Sequence, residues 1–354
     1  MANVSRFDSR LNRIPNQIWA KITQIEELKG RWTAGTNLSP QYLSRLKRSV
    51  LVTSTGASTR IEGSSLSDED VEKLMRGIAI EKFADRDEQE VKGYFELLQN
   101  VFDAWDSLKL SESTIKHFHQ EMLKYVQKDI PHRGKYKSRE NQVRMIDAQG
   151  RDVGILFDTT RAYLTPKGMA ELVDWTKESL QAKTYHPLLI LGNFIVEFLH
   201  IHPFEDGNGR LSRILTNLLL LKEGYGYMPY VSHEKLIEDK KPEYYMALRS
   251  SQKTFRTKAE NLTPWLDFFL GIVLQQSQIA LNLITQEKVE SILSPKQLAV
   301  WEYLQSTETA SPNEIAEHAH VARPTVNQAV NKLLNMRKVE RIGEGSSIRY
   351  RKIS

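Results

Sequence analysis

Apolar residues recur every three or four positions along most of the chain, the spacing that gathers them on one face of a helix. Between 86 and 106 the series Val91, Tyr94, Phe95, Leu98, Phe102 and Trp105 predicts a helix with one buried stripe, and Ile115, Phe118, Met122 and Val126 predict another. Upstream, Ser39 and Pro40 form a cap and first turn for a helix carrying Leu43, Leu46, Val50 and Leu51 toward Glu62, with Gly63 as its stop. Ser67 caps a short acidic-started helix ending near Gly77. Within the first 290 residues a β signal is confined to Asn141–Tyr163, where QVRMI and VGILF flank the turn-rich DAQGRD with Gly150, and predicts a hairpin. Helices then resume from Thr165-Pro166, from Pro187 to near Leu199, from Gly207 to near Leu221, from Pro242 through Tyr244, Tyr245 and Leu248, and from Thr263-Pro264 to near Ile292. Beyond Ser294-Pro295 the texture changes to three short helices and an alternating basic tail, which sets a domain boundary at 294.

Composition narrows the classes. The chain has 354 residues with 40% hydrophobic content, and 49 basic against 44 acidic residues give +5. At roughly 150 residues per domain this length predicts two or three domains. Zero cysteines exclude a disulfide scaffold, a thiolate metal site and a cysteine nucleophile. The start, MANVSRFDSR, has no apolar core behind its charges, and apolar runs such as Trp265–Leu274 contain Asp267 and stop short of the ~20 residues that span a bilayer. The expectation is a cytoplasmic protein with no membrane partner. Neither a Walker A sequence nor a G-x-G-x-x-G turn occurs, which argues against P-loop and Rossmann nucleotide sites.

The chemistry concentrates in residues 202–213, HPFEDGNGRLSR. An apolar helix delivers His202 to a loop, and Asp206 supplies a hard oxygen ligand suited to Mg²⁺. Gly207, Asn208 and Gly209 give a turn whose backbone can approach a ligand closely, directly before a helix N-terminus that favours anions. Arg210 and Arg213 are three residues apart and share a helix face, within reach of a polyphosphate. His202 has the titration range of a general base. The H-x-H pair His200 and His202 also admits a metal-hydrolase reading, although such sites need further ligands.

This segment resembles the Fic (filamentation induced by cAMP) motif HxFx(D/E)GNGRxxR at every defined position, and the order of hairpin, TP-started helix, apolar helix and YY-bearing helix is similar to that family over about residues 40–280. The resemblance implies a mainly α fold: a Fic helical core with a small β-hairpin flap. It divides the chain into an N-terminal helical region (1–110), a catalytic core (111–290; flap 141–163, motif 202–213) and a C-terminal domain (294–354). It implies a protein adenylyltransferase that moves AMP from ATP to a Ser, Thr or Tyr hydroxyl of a target protein, or of the chain itself, and releases pyrophosphate. His202 would be the base, Phe204 a buried anchor and Asp206 the Mg²⁺ ligand. Glu62, Gly207, Asn208, Gly209, Arg210, Leu211, Ser212, Arg213 and Tyr245 would line the ATP site, with Gln252 a weaker match. The family's phosphotransferase branch carries lysine where Gly209 stands, so AMP transfer is favoured. The hairpin would align an extended target segment by strand addition. A homodimer is a family analogy.

Residues 58–63, Ser-Thr-Arg-Ile-Glu-Gly, resemble the family's inhibitory motif (S/T)xxxE(G/N). Glu62 would pair with Arg213 and withhold it from the γ-phosphate. The same glutamate would suit a de-AMPylating or bifunctional enzyme, in which it orients a water. Residues 294–354 resemble a winged helix-turn-helix. RPTVNQAVNKLLNMRKV would be the recognition helix, with Asn327 and Gln328 as base readers and a wing turning at Gly343-Glu344-Gly345. From Lys332 onward seven basic residues face two acidic ones, a balance suited to DNA phosphates. The rival reading is a DNA-binding regulator whose Fic core serves as a sensor.

Overall fold

The computed structural model describes residues 5–35, 38–77, 86–146, 152–257, 259–343 and 345–353. Its elements in chain order are α1 (Arg6–Ser9), α2 (Asn16–Gly35), α3 (Pro40–Ile61), α4 (Asp68–Gly77), α5 (Arg86–Ala104), α6 (Glu112–Met122), β1 (Gln142–Ile146), β2 (Asp152–Asp158), α7 (Thr165–Ala182), α8 (Pro187–Ile201) and α9 (Asn208–Lys222). Then follow α10 (His233–Glu238), α11 (Lys241–Gln252), α12 (Thr263–Ile292), α13 (Pro295–Ser306), α14 (Pro312–His318), α15 (Arg323–Asn335), β3 (Val339–Ile342) and β4 (Arg349–Lys352). The fold is mainly helical with small antiparallel hairpins, as the spacing predicts.

The chain divides into two compact units, Met1–Ala280 and Leu281–Ser354, so the division falls within α12 rather than at 294, and residues 1–110 share one unit with the segment that follows. In the first unit α8 and α9 are buried nearly all round and form its centre, with Leu188, Ile190, Phe194, Val196, Phe198, Leu211, Ile214, Leu215 and Leu218 buried. Their connection is the loop 202–207. Ser39 Oγ accepts from Tyr42 N and opens α3, and Gly63, at φ 107°, closes it beyond Glu62. α2 was not read from sequence, although Ile18, Ile22 and Ile25 sit at helical spacing and are buried with Trp32.

β1 and β2 pair antiparallel from Gln142↔Asp158 to Ile146↔Asp152, with register irregularities after Val143 and after Met145. The expected turn around Gly150 lies outside the described residues, as does Glu344 of the second hairpin. By length and composition Thr263–Ile284 of α12 is long and apolar enough to cross a membrane, beyond the run Trp265–Leu274 noted in the sequence. Trp265, Leu266, Phe269 and Leu270 of this helix are buried in the protein core.

The second unit packs Val300, Trp301, Leu304, Ile315, Val326, Ala329, Val330, Leu333 and Val339 into one core. Capping boxes at Ser294/Gln297 and Ser311/Glu314 start α13 and α14. β3 and β4 pair antiparallel, and Ala310 bridges to Tyr350.

Candidate active site

His202 terminates α8 in the left-handed region, φ 52° and ψ 61°, with its N–H donating to Phe198 O. A non-glycine residue held there stores strain that the surrounding loop must offset. Its Nδ1 lies 3.3 Å from the Leu199 carbonyl oxygen. A carbonyl can only accept, so Nδ1 carries the proton and Nε2 keeps its lone pair. Burial pushes the imidazole down to about 4, against the Leu199 carbonyl and with help from the Lys137 cation. His202 is therefore neutral through the physiological range, the state a base requires.

The loop after it is clamped from inside. Asn208 pairs both backbone groups of Phe204, accepting from its N–H at 2.9 Å and donating to its carbonyl at 2.9 Å. Phe204 is fully buried. Its ring stacks on His119 at 3.9 Å and 5°. Gly134 N–H donates to His119 Nδ1 at 2.8 Å, which leaves Nε2 as the donor to the Asp206 carbonyl at 3.0 Å. Two backbone contacts thus fix the tautomer, and burial holds the ring down at about 4. Sequence reasoning passed over His119, because a histidine inside a helical stripe carries no motif of its own.

Gly207, at φ 76°, opens α9, and Leu211 N–H is the first to bond back, to Gly207 O. The amides of Asn208, Gly209 and Arg210 therefore precede the intrahelical ladder and form an anion-seeking end. Ser212 turns its hydroxyl to the Gly209 carbonyl at 2.7 Å, and Leu211 is buried.

The two arginines of α9 part company. Arg210 lies 2.5 Å from Glu90 Oε2 and 3.3 Å from Asp206 Oδ2. Arg213 donates to Ser58 Oγ at 2.8 Å, to the Ser58 carbonyl at 2.8 Å and to Glu62 Oε1 at 2.7 Å. Burial opposes its charge, but Glu62 outweighs that and holds the guanidinium above its ordinary range. Glu62 also overhangs the anion-seeking end: a Cβ at Gly209 would overlap Glu62 Oε1. Tyr245 is close by, its hydroxyl 3.4 Å from the Ile61 carbonyl. Gln252 stands apart, buried and donating to the Val196 carbonyl at 3.2 Å. His200 faces Phe255 edge-on at 5.1 Å, and burial lowers it to about 4.

Asp206 Oδ1 accepts from Gly207 N–H at 2.6 Å, and Oδ2 accepts from Arg86 at 2.7 Å. Burial works against its charge, yet Arg210, the Gly207 amide and Arg86 together hold this carboxyl below its usual range. Carboxylate oxygens of Glu90, Asp129 and Asp206 lie within 4.8 Å of one another. A hard-oxygen set of this kind suits Mg²⁺ in donor chemistry, and the guanidiniums of Arg86 and Arg210 both pair with it.

Residues 109–220 match the model of the Fic/DOC family. Over these residues the chain carries a Fic domain. Its fold is similar to the crystal structure of a Fic family protein from Desulfovibrio desulfuricans, with a TM-score of 0.61 and 25% identity over 96% of this chain and 97% of that one. A Fic domain containing signaling protein from Bacteroides thetaiotaomicron shares the fold at a TM-score of 0.58 and 23% identity, covering 74% of this chain and 97% of that one. Among curated relatives, a protein adenylyltransferase Fic of Aedes aegypti is 49% identical over 47 residues, which is 13% of this chain and 9% of that protein. The match thus spans a small part of that relative's length.

Proposed function

We propose that this Fic protein is an ATP-dependent protein adenylyltransferase held in check by Glu62. The observation that carries the proposal is the placement of a neutral, Nδ1-protonated His202 six residues ahead of the first unladdered amide of α9, with Arg213 claimed by Glu62. Nε2 of His202 accepts the proton of a Ser, Thr or Tyr hydroxyl, whose oxygen attacks the α-phosphorus. The bond from that phosphorus to the bridging oxygen breaks, and pyrophosphate leaves with the electron pair. The amides of Asn208, Gly209 and Arg210 stabilise charge on phosphate oxygens in place. Arg213, once free of Glu62, holds the γ-phosphate. Asp206, with Glu90 and Asp129 beside it, would hold Mg²⁺, which when bound neutralises phosphate charge. Tyr245 bounds the nucleoside side.

Incubation with Mg²⁺ and either α- or γ-labelled ATP tests this reading. Label on protein from the α position alone supports AMP transfer, and label from the γ position overturns it in favour of phosphorylation. Label that is lost again on longer incubation identifies the bifunctional alternative, in which Glu62 directs a water.

The second unit supports a further assignment, a winged helix-turn-helix that binds DNA. Asn327 and Gln328 are exposed on α15, opposite its buried face of Val326, Ala329, Val330 and Leu333. Arg349 and Arg351 are paired with Glu314 and Glu340, which leaves phosphate contacts to groups such as Arg337 and Arg341. Salt-dependent binding of duplex DNA by the full chain checks the assignment.

A further inference from the structure

Lys137 is a buried cation that the proposed chemistry does not use. Its residue is 4% exposed. Among the described residues its Nζ pairs with no carboxylate and donates instead to Asn141 Oδ1 at 2.7 Å, Thr159 Oγ1 at 2.9 Å and the Ile201 carbonyl at 3.1 Å. All three ammonium protons are thereby placed on neutral acceptors. Burial pushes the amine down to about 8, only partly opposed by Glu140. An apolar side chain of similar length would fill this position without that desolvation cost, so the arrangement calls for a reason beyond packing.

The acceptors define one. Asn141 immediately precedes β1 and Thr159 immediately follows β2, so Lys137 joins the two roots of the hairpin. Ile201 immediately precedes His202. Around that bridge, Lys137 N–H donates to the Pro203 carbonyl at 2.8 Å, Thr160 N–H to His200 O at 3.2 Å, and Asn141 Nδ2 to Phe204 O at 2.9 Å. Four carbonyls bracketing the base are therefore held by Lys137 and the hairpin roots.

We propose that Lys137 is a positioning residue that fixes the hairpin relative to His202, so that a target segment added as a strand presents its hydroxyl to Nε2. The proposal rests on the AMP-transfer reading. Its physical basis is the strand repeat: a slip of one residue moves a side chain by ~3.3 Å and turns it to the other face. Either change takes a hydroxyl out of hydrogen-bond reach of the base.

The test uses the full chain carrying Glu62→Gly, with Lys137→Met, Lys137→Arg and Thr159→Val added singly. Three quantities are read: amide hydrogen exchange across β1 and β2 without nucleotide, ATP affinity by calorimetry, and self-modification from α-labelled ATP. Lys137→Met is expected to speed hairpin exchange and slow transfer by about tenfold each, the factor that one lost hydrogen bond implies. ATP affinity is expected to stay within about two-fold, because the amides of α9 and Arg213 are untouched. Lys137→Arg restores part of both losses, since it keeps a cation with several donors. Thr159→Val removes one acceptor, acts in the same direction more weakly, and decides the matter should Lys137→Met not fold. Unchanged hairpin exchange in both variants overturns the proposal. So does a loss of ATP affinity as large as the loss of transfer, which would make Lys137 a general support of the site. A parent protein that transfers no AMP overturns the functional reading, and hairpin exchange then still decides whether Lys137 couples the hairpin to the loop.

Discussion

Replacing Glu62 with glycine removes one of the three acceptors that hold Arg213 and leaves both Ser58 bonds in place. The guanidinium therefore keeps its position and loses its counter-charge. At an effective dielectric of 20, two charges near 4 Å attract by about 4 kcal/mol. Arg213 is 2% exposed, but the Glu62 side chain is 36% exposed, so solvent screens part of that attraction. A net value of about 2 kcal/mol follows, in line with hydrogen bonds to charged groups. ATP must displace Glu62 to reach Arg213 with its γ-phosphate, so the variant should gain roughly 30-fold in productive ATP engagement. The carboxylate over Gly209 also repels phosphate, and its removal adds to the gain in the same direction. The assay is the initial rate of AMP incorporation at sub-saturating ATP for wild type, Glu62→Gln and Glu62→Gly, with Glu62→Gly/Arg213→Ala as a control. The expected order is wild type below Glu62→Gln below Glu62→Gly, with the gain lost in the double variant. A Glu62→Gly rate equal to or below wild type would refute the pairing as a brake.

Other consequences concern pH and packing. Because burial holds His202 at about 4, kcat/KM for transfer should stay level from neutral pH down to about pH 5 and fall below that, and an inflection near 6.5 would contradict the assignment. His119 is fully buried with its pKa lowered to about 4, so protonation favours the unfolded chain. Its contribution is present in full above pH 6.5 and is lost as pH falls toward 4, up to ~3 kcal/mol. Urea unfolding at pH 7 and pH 5 should therefore show a flatter pH dependence for His119→Gln than for wild type, and equal slopes would count against it. Phe204→Ala empties a fully buried ring site against His119 and should cost ~3–5 kcal/mol in urea unfolding. A loss under 1 kcal/mol would mean that the loop collapses around the vacancy.

The helices were legible where one face alone is apolar, as in α5 and α6, or where a cap and proline announce them, as at Ser39-Pro40. α2 escaped because no Ser, Thr, Asp or Asn cap precedes Asn16 to announce its start. Position of the division within α12 was not legible either, since a continuous helix gives no change of pattern at the point where one packed unit gives way to the next. In the site, the linear motif 202–213 placed the loop and the start of α9, because those contacts lie within a few residues of one another. The divergence of Arg210 and Arg213 was hidden, since it depends on Glu90 from α5 and on Ser58 from α3, more than 100 residues away in sequence. His119 and Lys137 were hidden as well: each reaches backbone groups of the loop after α8 or the residue before it, and a backbone group leaves no signature in the residue type that carries it.

The central claim, that the protein moves AMP onto protein hydroxyls with His202 as base, is tested most directly by intact-mass spectrometry. Purified wild type, Glu62→Gly and Glu62→Gly/His202→Ala would each be incubated with Mg²⁺-ATP. The account predicts a mass gain of one AMP in Glu62→Gly, little in wild type and none in the double variant. An equal gain with and without His202, or no gain in Glu62→Gly while ATP still binds, would contradict it.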